Sequence, residues 1–406
     1  LYDNKAFEEV SAFTKQSTEL RGTKPVEEFV MVLNETPNVI PATFLFSRGE
    51  HFAPKQQVEP AELAILKEGR KQNAEGSGNG IPTDDPALPT SGRRLAYARW
   101  LTSGQHPLLA RVLVNRVWMQ HFGRGLVSTP ADFGVQGERP SHPELLDRLA
   151  NEFVASGWKL KSLHRQMLLS TAYRQSSQRN AAQDVVDPDN RLLGHFPLRR
   201  LQAEEVRDAT LAVSGKLTNK LAGKPVPIMQ DEIGQFVLGI DNINGNGVPD
   251  KLIPLNGEEF RRSVYVQVRR SRPLSVMDPF DLPMLDPNCP QRISSTVSPQ
   301  SLFLMNSDFV QEQSRNLAER VAAIAGPDVK SQIVLAWRLI FGAEPTETES
   351  AEAVAFVASQ TEVFQPKTPP PANPPAGTAP PPDPARQAFA LLCQSLLSSN
   401  RFLYVE

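Results

Sequence analysis

Apolar residues along this chain recur mostly at intervals of three and four, and that period predicts helices. Helices are expected over 93–101, 108–122, 160–174, 201–216, 299–325, 329–341, 347–360 and 384–398, with a weaker pattern over 7–20. Leu145, Leu146, Leu149, Phe153 and Val154 form one apolar face of a further helix, which Gly157 ends. Its start, Ser141-His142-Pro143-Glu144, has the form of a capping box: the serine hydroxyl takes the amide of Glu144, and the Glu144 side chain returns the bond. Strand signals are fewer. Residues 29–33 and 42–46 are short apolar runs between turn residues, and residues 263–268 alternate. The fold class that follows is mainly α: a multi-helix globular domain, a smaller β-containing region at about 225–285, and short N-terminal strands.

Three interruptions organise the chain. Residues 67–92 turn polar and rich in Gly, Asn and Ser, as a linker or long loop does. Residues 225–285 carry recurrent Pro and Gly. Residues 366–384 contain two Pro-Pro-Pro runs and read as an exposed polyproline-like loop. Residues 1–66 are read as the end of an upstream domain, and 93–406 as the main helical domain. No internal repeat is evident. With 406 residues, 40% apolar and 22% charged, the chain can bury a substantial core. Its net charge of −2 gives no general attraction to nucleic acid or to an anionic membrane, and no apolar run is long enough for a membrane span. Cys289 and Cys393 form no CxxC pair, which excludes a c-type haem attachment or zinc knuckle within these residues. An even cysteine count leaves a disulfide between them open.

Candidate chemistry concentrates in Val114-Asn115-Arg116-Val117-Trp118-Met119-Gln120-His121-Phe122-Gly123-Arg124-Gly125. An apolar helix carrying these polar groups must partner them. At helical spacing Arg111, Asn115, Trp118 and Phe122 share a face, while Arg116 and Gln120 lie on others. No acidic residue occurs from Pro86 to Ala131, so partners are expected from Asp132, Glu138, Glu144 and Asp147. The expectation is that Arg111, Asn115, His121 and Arg124 are buried and bonded to the 132–147 loop. One reading is a structural Arg–carboxylate network. Another is an anion or sugar pocket built from Arg111, Asn115, Arg116, Trp118, His121, Arg124, Asp132, His142 and Glu144. Arginines interleaved with aromatics also suit single-stranded nucleic acid, which the net charge opposes. His121, His142, Glu144 and His164 could meet at a metal only through folding, since no HxxxH or HExxH spacing is present, and no metal is expected. Asp241 to Asp250 has alternate oxygen donors but lacks the aspartates and terminal Glu of a calcium loop, so it is read as a turn. Glu204, Glu205 and Asp208 are read as a solvated helix face, with Arg200 and Glu204 as i,i+4 neighbours. No GxSxG elbow supports a serine hydrolase.

Several blocks carry a family resemblance. Asn115-Arg116-Val117-Trp118, His121-Phe122-Gly123-Arg124-Gly125-Leu126-Val127, Asp132-Phe133-Gly134 and Pro140-Ser141-His142-Pro143-Glu144-Leu145-Leu146-Asp147 form the first group. Ser170 to Ser176, Arg261 to Tyr265, Thr296 to Leu302 and Asn400 to Val405 follow. Together they resemble the planctomycete-specific domain family (PSD-type), over roughly residues 93–406. Residues 29–66 resemble the segment that usually precedes that domain. The resemblance implies an exported, extracytoplasmic bacterial protein, and a cytochrome c-like domain upstream in the full-length chain as partner. Haem would belong to that upstream domain, with no cofactor in this chain. The resemblance implies no reaction. A binding or scaffold module is the first functional expectation. An enzyme acting on polysaccharide or an anionic substrate, with its site at the Arg111/Asn115/His121 helix, is the second.

Overall fold

The computed structural model describes residues 4–23, 31–36, 42–58, 88, 90–240, 253–283, 289–366 and 383–405. Most of the expected linker, the Asp241–Asp250 motif and nearly all of the proline-rich stretch lie outside the described residues. The chain forms two compact units, 1–109 and 110–406.

The first unit holds α1 (Asn4–Gly22), the antiparallel hairpin of β1 (Thr43–Ser47) and β2 (Glu50–Val58), and α2 (Arg93–Thr102). The described part of the expected 29–33 strand, from Met31, is not a strand. Polar bonds tie that segment to α2 instead: Leu33 O accepts from Arg94 Nη2 at 3.0 Å, and Glu35 accepts from the Ser91 amide at 2.8 Å. Strand β2 escaped the pattern because Lys55-Gln56-Gln57 and Pro54 break any apolar alternation, and its residues are largely exposed.

The second unit is helical. In order it contains α3 (Leu109–Phe122), α4 (Pro143–Ala155), α5 (Leu160–Leu168), α6 (Thr171–Arg174), α7 (Ala181–Val186), β3 (Arg199–Arg200) and α8 (Ala203–Ser214). Hairpin β4 (Ile228–Gln230) and β5 (Phe236–Leu238) follows. Then come α9 (Ser298–Asn306), α10 (Asp308–Ala325), α11 (Val329–Phe341), α12 (Glu347–Phe364), α13 (Pro384–Leu397), α14 (Asn400–Leu403) and β6 (Tyr404–Val405). Apolar stripes gather these elements around two cores. One packs Val114, Trp118 and Phe122 against Leu146, Phe153, Leu163 and Met167. The other joins α8 through α13, with Leu317, Ile333, Ala336 and Cys393 fully buried. Strands β3 and β6 pair antiparallel, Arg199 with Val405 and Arg200 with Tyr404. This two-residue ribbon runs where the cores meet, because Phe196 and Val405 pack on the first while Leu201, Ala203 and Tyr404 pack on the second.

Local chemistry corrects several boundaries. The 160–174 helix is two helices: Ser170 turns extended, and its hydroxyl accepts from the Tyr173 amide, an N-cap that restarts the chain. The 299–325 helix breaks at Ser307, also extended. Residues 263–268 are not a strand. Ser263–Tyr265 form a 3₁₀ turn because Asp208 accepts both the Ser263 amide and its hydroxyl, each at 2.7 Å. The capping box does not form either. The N-cap of α4 is His142, and the Ser141 amide and hydroxyl both bond Leu126 O, tying two loops together.

Candidate functional site

Helix α3 resolves the polar stretch residue by residue. Asn115 is fully buried, and its amide clamps one residue: Nδ2 donates to Val127 O at 2.9 Å, and Oδ1 accepts from the Val127 amide at 2.8 Å. The helix ends at Gly123, whose φ of 76° suits a glycine, and whose amide donates to Met119 O. Gly125 then passes so close to the clamp that a Cβ there would sit 2.7 Å from Asn115 Nδ2 and 2.5 Å from Val127 O. Asn115 and Gly125 therefore form a structural unit that folds the chain back along its own helix.

The other candidates separate. Arg111 bonds Asp147 at 2.6 Å, as a pair whose side chains are 36% and 51% exposed. Trp118 is buried and stacks on Phe122 with centroids 4.1 Å apart. His121 meets His164, Nε2 to Nδ1 at 2.8 Å. Burial first, then the charges of His164 and Arg199, hold His121 below the usual histidine range. Arg116, Arg124 and Glu144 are exposed. Asp132 accepts from the Gly134 amide within its own turn, and His142 Nδ1 lies 3.0 Å from Ser141 Oγ. The expected buried network with the 132–147 loop is thus reduced to one surface ion pair, because Asn115 turns to Val127 and His121 to His164. Among the described residues no three potential ligands gather as a metal site.

A larger feature lies at the end of the same helix. Met119, Phe122, Gly123 and Arg124 form one wall of a cleft of about 810 Å³. The ribbon 197–202 and Tyr404 form a second wall, and Phe280 to Pro283 with Cys289 to Thr296 close it. Arg124, Arg199, Arg200 and Arg292 line this cleft, whereas Asp281 is its only carboxylate among the described residues. Arg200 is 4% exposed at its side chain, pairs with Asp281 through Nη2, and lies 5.6 Å from the centre of the Phe280 ring. Asp281, left-handed at φ 60°, also accepts the Ser295 amide at 2.8 Å and the Ser295 hydroxyl at 2.7 Å. The buried Gln300 amide holds the same corner by donating to Pro279 O and Ser295 O. Thr296 and Tyr404 share a hydroxyl–hydroxyl bond of 2.8 Å.

Behind this surface Glu204, at the start of α8, takes Arg292 in a two-pronged pair at 2.6 and 2.9 Å. Burial pushes the Glu204 carboxyl up, but the bonds from Arg292, its own backbone amide and the Arg292 charge together keep it below the usual carboxylate range. Glu205 bonds the Gln202 amide and approaches Arg199 at 3.4 Å. The expected solvated face of α8 is therefore wrong. Glu204 and Asp208 hold two distant segments, at Arg292 and Ser263, and Glu205 holds the turn just before the helix. Three N–H groups remain buried without an acceptor on this ribbon: Arg199 Nε, Arg200 Nε and Arg200 Nη1. A buried donor left unpaired costs about 1–3 kcal/mol, so this is an arrangement that favours an added acceptor.

The family model described as "Protein of unknown function (DUF1553)", PSD1, matches residues 93–357. The chain belongs to this family. No curated protein and no solved structure matches it. The PSD1 match spans every cleft residue named above except Tyr404, which lies beyond its end. Sequence reasoning missed the cleft because it treated Arg200 and Glu204 as one helix turn. Arg200 stands in a strand, before the helix begins at Ala203, so no i,i+4 contact can form. The adjacent Arg199-Arg200 between apolar Leu198 and Leu201 was the available signal.

Proposed function

We propose that this PSD1 chain is a binding module that receives an anionic group in the Arg199/Arg200 cleft. The observation that carries the reading is that two adjacent arginines lining one cleft keep guanidinium nitrogens without an acceptor beside their ion pairs to Glu205 and Asp281. Guanidinium groups suit carboxylate, sulfate or phosphate oxygens, and the volume is of the size that holds a small ligand or a sugar unit. Binding is favoured over turnover because no base is paired with a nucleophile in the described lining: the one carboxylate, Asp281, and the Tyr404 hydroxyl are both engaged in other bonds. A glycoside hydrolase would need two free carboxyl groups across the bond, and Asp281 is already engaged by Arg200 and Ser295. The family resemblance supplies a setting: an extracytoplasmic scaffold accompanying an upstream cytochrome c-like domain, with an acidic glycan as one source of the anion. The test is titration calorimetry of the whole chain with sulfate, phosphate and a uronate oligosaccharide. Binding that is weakened by Arg200→Gln and by Arg124→Gln, but unchanged by Arg111→Ala, supports the site. Absence of binding to all three anions, or binding indifferent to the cleft variants, overturns it.

A further inference from the structure

Helix α5 divides sharply between its two sides. Leu163 and Met167 point inward, each 1% exposed, and belong to the first core. The outward side mixes leucines with cations. Leu160, Leu168 and Leu169 are 47%, 39% and 62% exposed, and Lys159, Lys161 and Arg165 are exposed beside them. Lys161, Arg165 and Leu168 follow one another at helical spacing, and with His164 and Leu169 they surround one shallow hollow. Charge is one-sided here. From Lys159 to Gln183 the sequence carries Lys159, Lys161, Arg165, Arg174 and Arg179 and no acidic residue. Arg179 pairs with Asp184. Among the described residues the other four cations pair with no carboxylate. Glu152 of α4 reaches this helix, but it accepts from Gln166 and is taken by Arg148.

We propose that the outward side of α5, with Leu169 at its end, docks on an anionic phospholipid membrane. A single exposed leucine is ordinary on a protein surface. Three leucines set among unpaired cations match the two layers of a membrane interface: the leucines enter the boundary of headgroups and acyl chains, and the cations meet lipid phosphates. The attachment is peripheral, since no described helix is long and apolar enough to cross a membrane. The net charge of −2 does not oppose it, because charges beyond a Debye length of about 10 Å are screened and the local patch decides the attraction. A nucleic acid fits the patch less well, because its exposed apolar residues are leucines and single strands need aromatic rings to stack on. The proposal is independent of the anion-binding reading of the cleft.

The test is cosedimentation of the whole chain with vesicles of phosphatidylcholine alone or mixed in equal parts with phosphatidylglycerol. Binding to the mixed vesicles should be about ten-fold tighter or more at low ionic strength and should weaken with salt. Lys161→Gln with Arg165→Gln should lose about five-fold per charge, and Leu168→Ser with Leu169→Ser should also release the chain. Lys330→Gln with Arg386→Gln makes the same charge change at exposed positions on α11 and α13 and should have no such effect. A melting curve of each variant checks that it is folded. Insertion is read separately. Both cysteines are free thiols, so the disulfide left open by the sequence does not form; Cys289 is exposed and Cys393 buried. In a Cys289→Ser background, a polarity-sensitive fluorophore attached at Leu169→Cys therefore reports on the patch alone, and its emission should shift to the blue on mixed vesicles. Equal binding to both vesicles, equal losses in the two charge pairs, or an unshifted emission would overturn the proposal. Capture by soluble polyphosphate without vesicle binding would overturn it as well.

Discussion

Replacing Asn115 by Ala should be among the most damaging single changes in the second unit, although Asn115 is near no ligand surface. The side chain is wholly buried and satisfies both backbone groups of Val127, itself 2% exposed. Removing it leaves one amide and one carbonyl unpaired in the core, at about 1–3 kcal/mol each, so the expected loss is about 2–6 kcal/mol. Urea unfolding read by tryptophan fluorescence reports it, because Trp118 packs one turn away. The midpoint should fall with an unchanged slope, which marks a stability change rather than a changed unfolded state. Gly125→Ala should also destabilise, since its Cβ would overlap the Asn115 amide and Val127 O. In the Asn115→Ala background part of that overlap disappears, so the two losses should be less than additive. A loss below about 1 kcal/mol for Asn115→Ala, or strict additivity with Gly125→Ala, would refute the clamp.

Three further outcomes follow from the geometry. Arg111→Ala should cost no more than about 1 kcal/mol, because its ion pair with Asp147 is surface-exposed, and a thermal melt checks it. His121 should lower stability as acidity increases. Its folded value lies below its unfolded one, so the folded state resists protonation, and its contribution is full above the ordinary histidine range and lost as pH falls through the depressed folded value; melting temperature against pH should flatten over that window in His121→Gln. Arg207→Met probes a different lock. Arg207 is 2% exposed, burial lowers its pKa to about 10, and its guanidinium holds Arg261 O, Glu259 O and Ser263 Oγ. Losing those bonds should cost about 3–5 kcal/mol in a denaturant titration, with sulfate binding retained at temperatures where the variant is folded.

The helical periods carried most of the second unit, because each amphipathic stripe is a local property that tertiary packing then uses. Breaks inside those periods were harder to read. Ser170 and Ser307 interrupt helices while the apolar spacing runs on across them, and a hydroxyl can cap or stay in a helix according to what lies nearby. The polar helix was recognised as exceptional, yet of the acids assigned to it only Asp147 bonds it, through Arg111. Charge balance pointed to the acids of the 132–147 loop, whereas Asn115 needed a backbone partner, which no count of charges can reveal. The cleft left only the Arg199-Arg200 pair as a local sign, for a related reason. Arg200 and Asp281 are far apart in sequence, as are Glu204 and Arg292, and only the folded ribbon of β3 and β6 brings them to one place. A pattern read one window at a time took Arg200 and Glu204 for neighbours on a solvated helix face and gave Asp281 and Arg292 no role.

An anion received by the Arg199/Arg200 ribbon can be located in a crystal. Crystals grown with selenate, whose selenium can be located by anomalous scattering, test its presence most directly. An anomalous peak is expected in the cleft, with oxygens within hydrogen-bond distance of the Arg199 and Arg200 guanidinium groups, and it should be lost in Arg200→Gln. Selenate found only at exposed lysines and arginines elsewhere, with the cleft empty at saturating concentration, would contradict it.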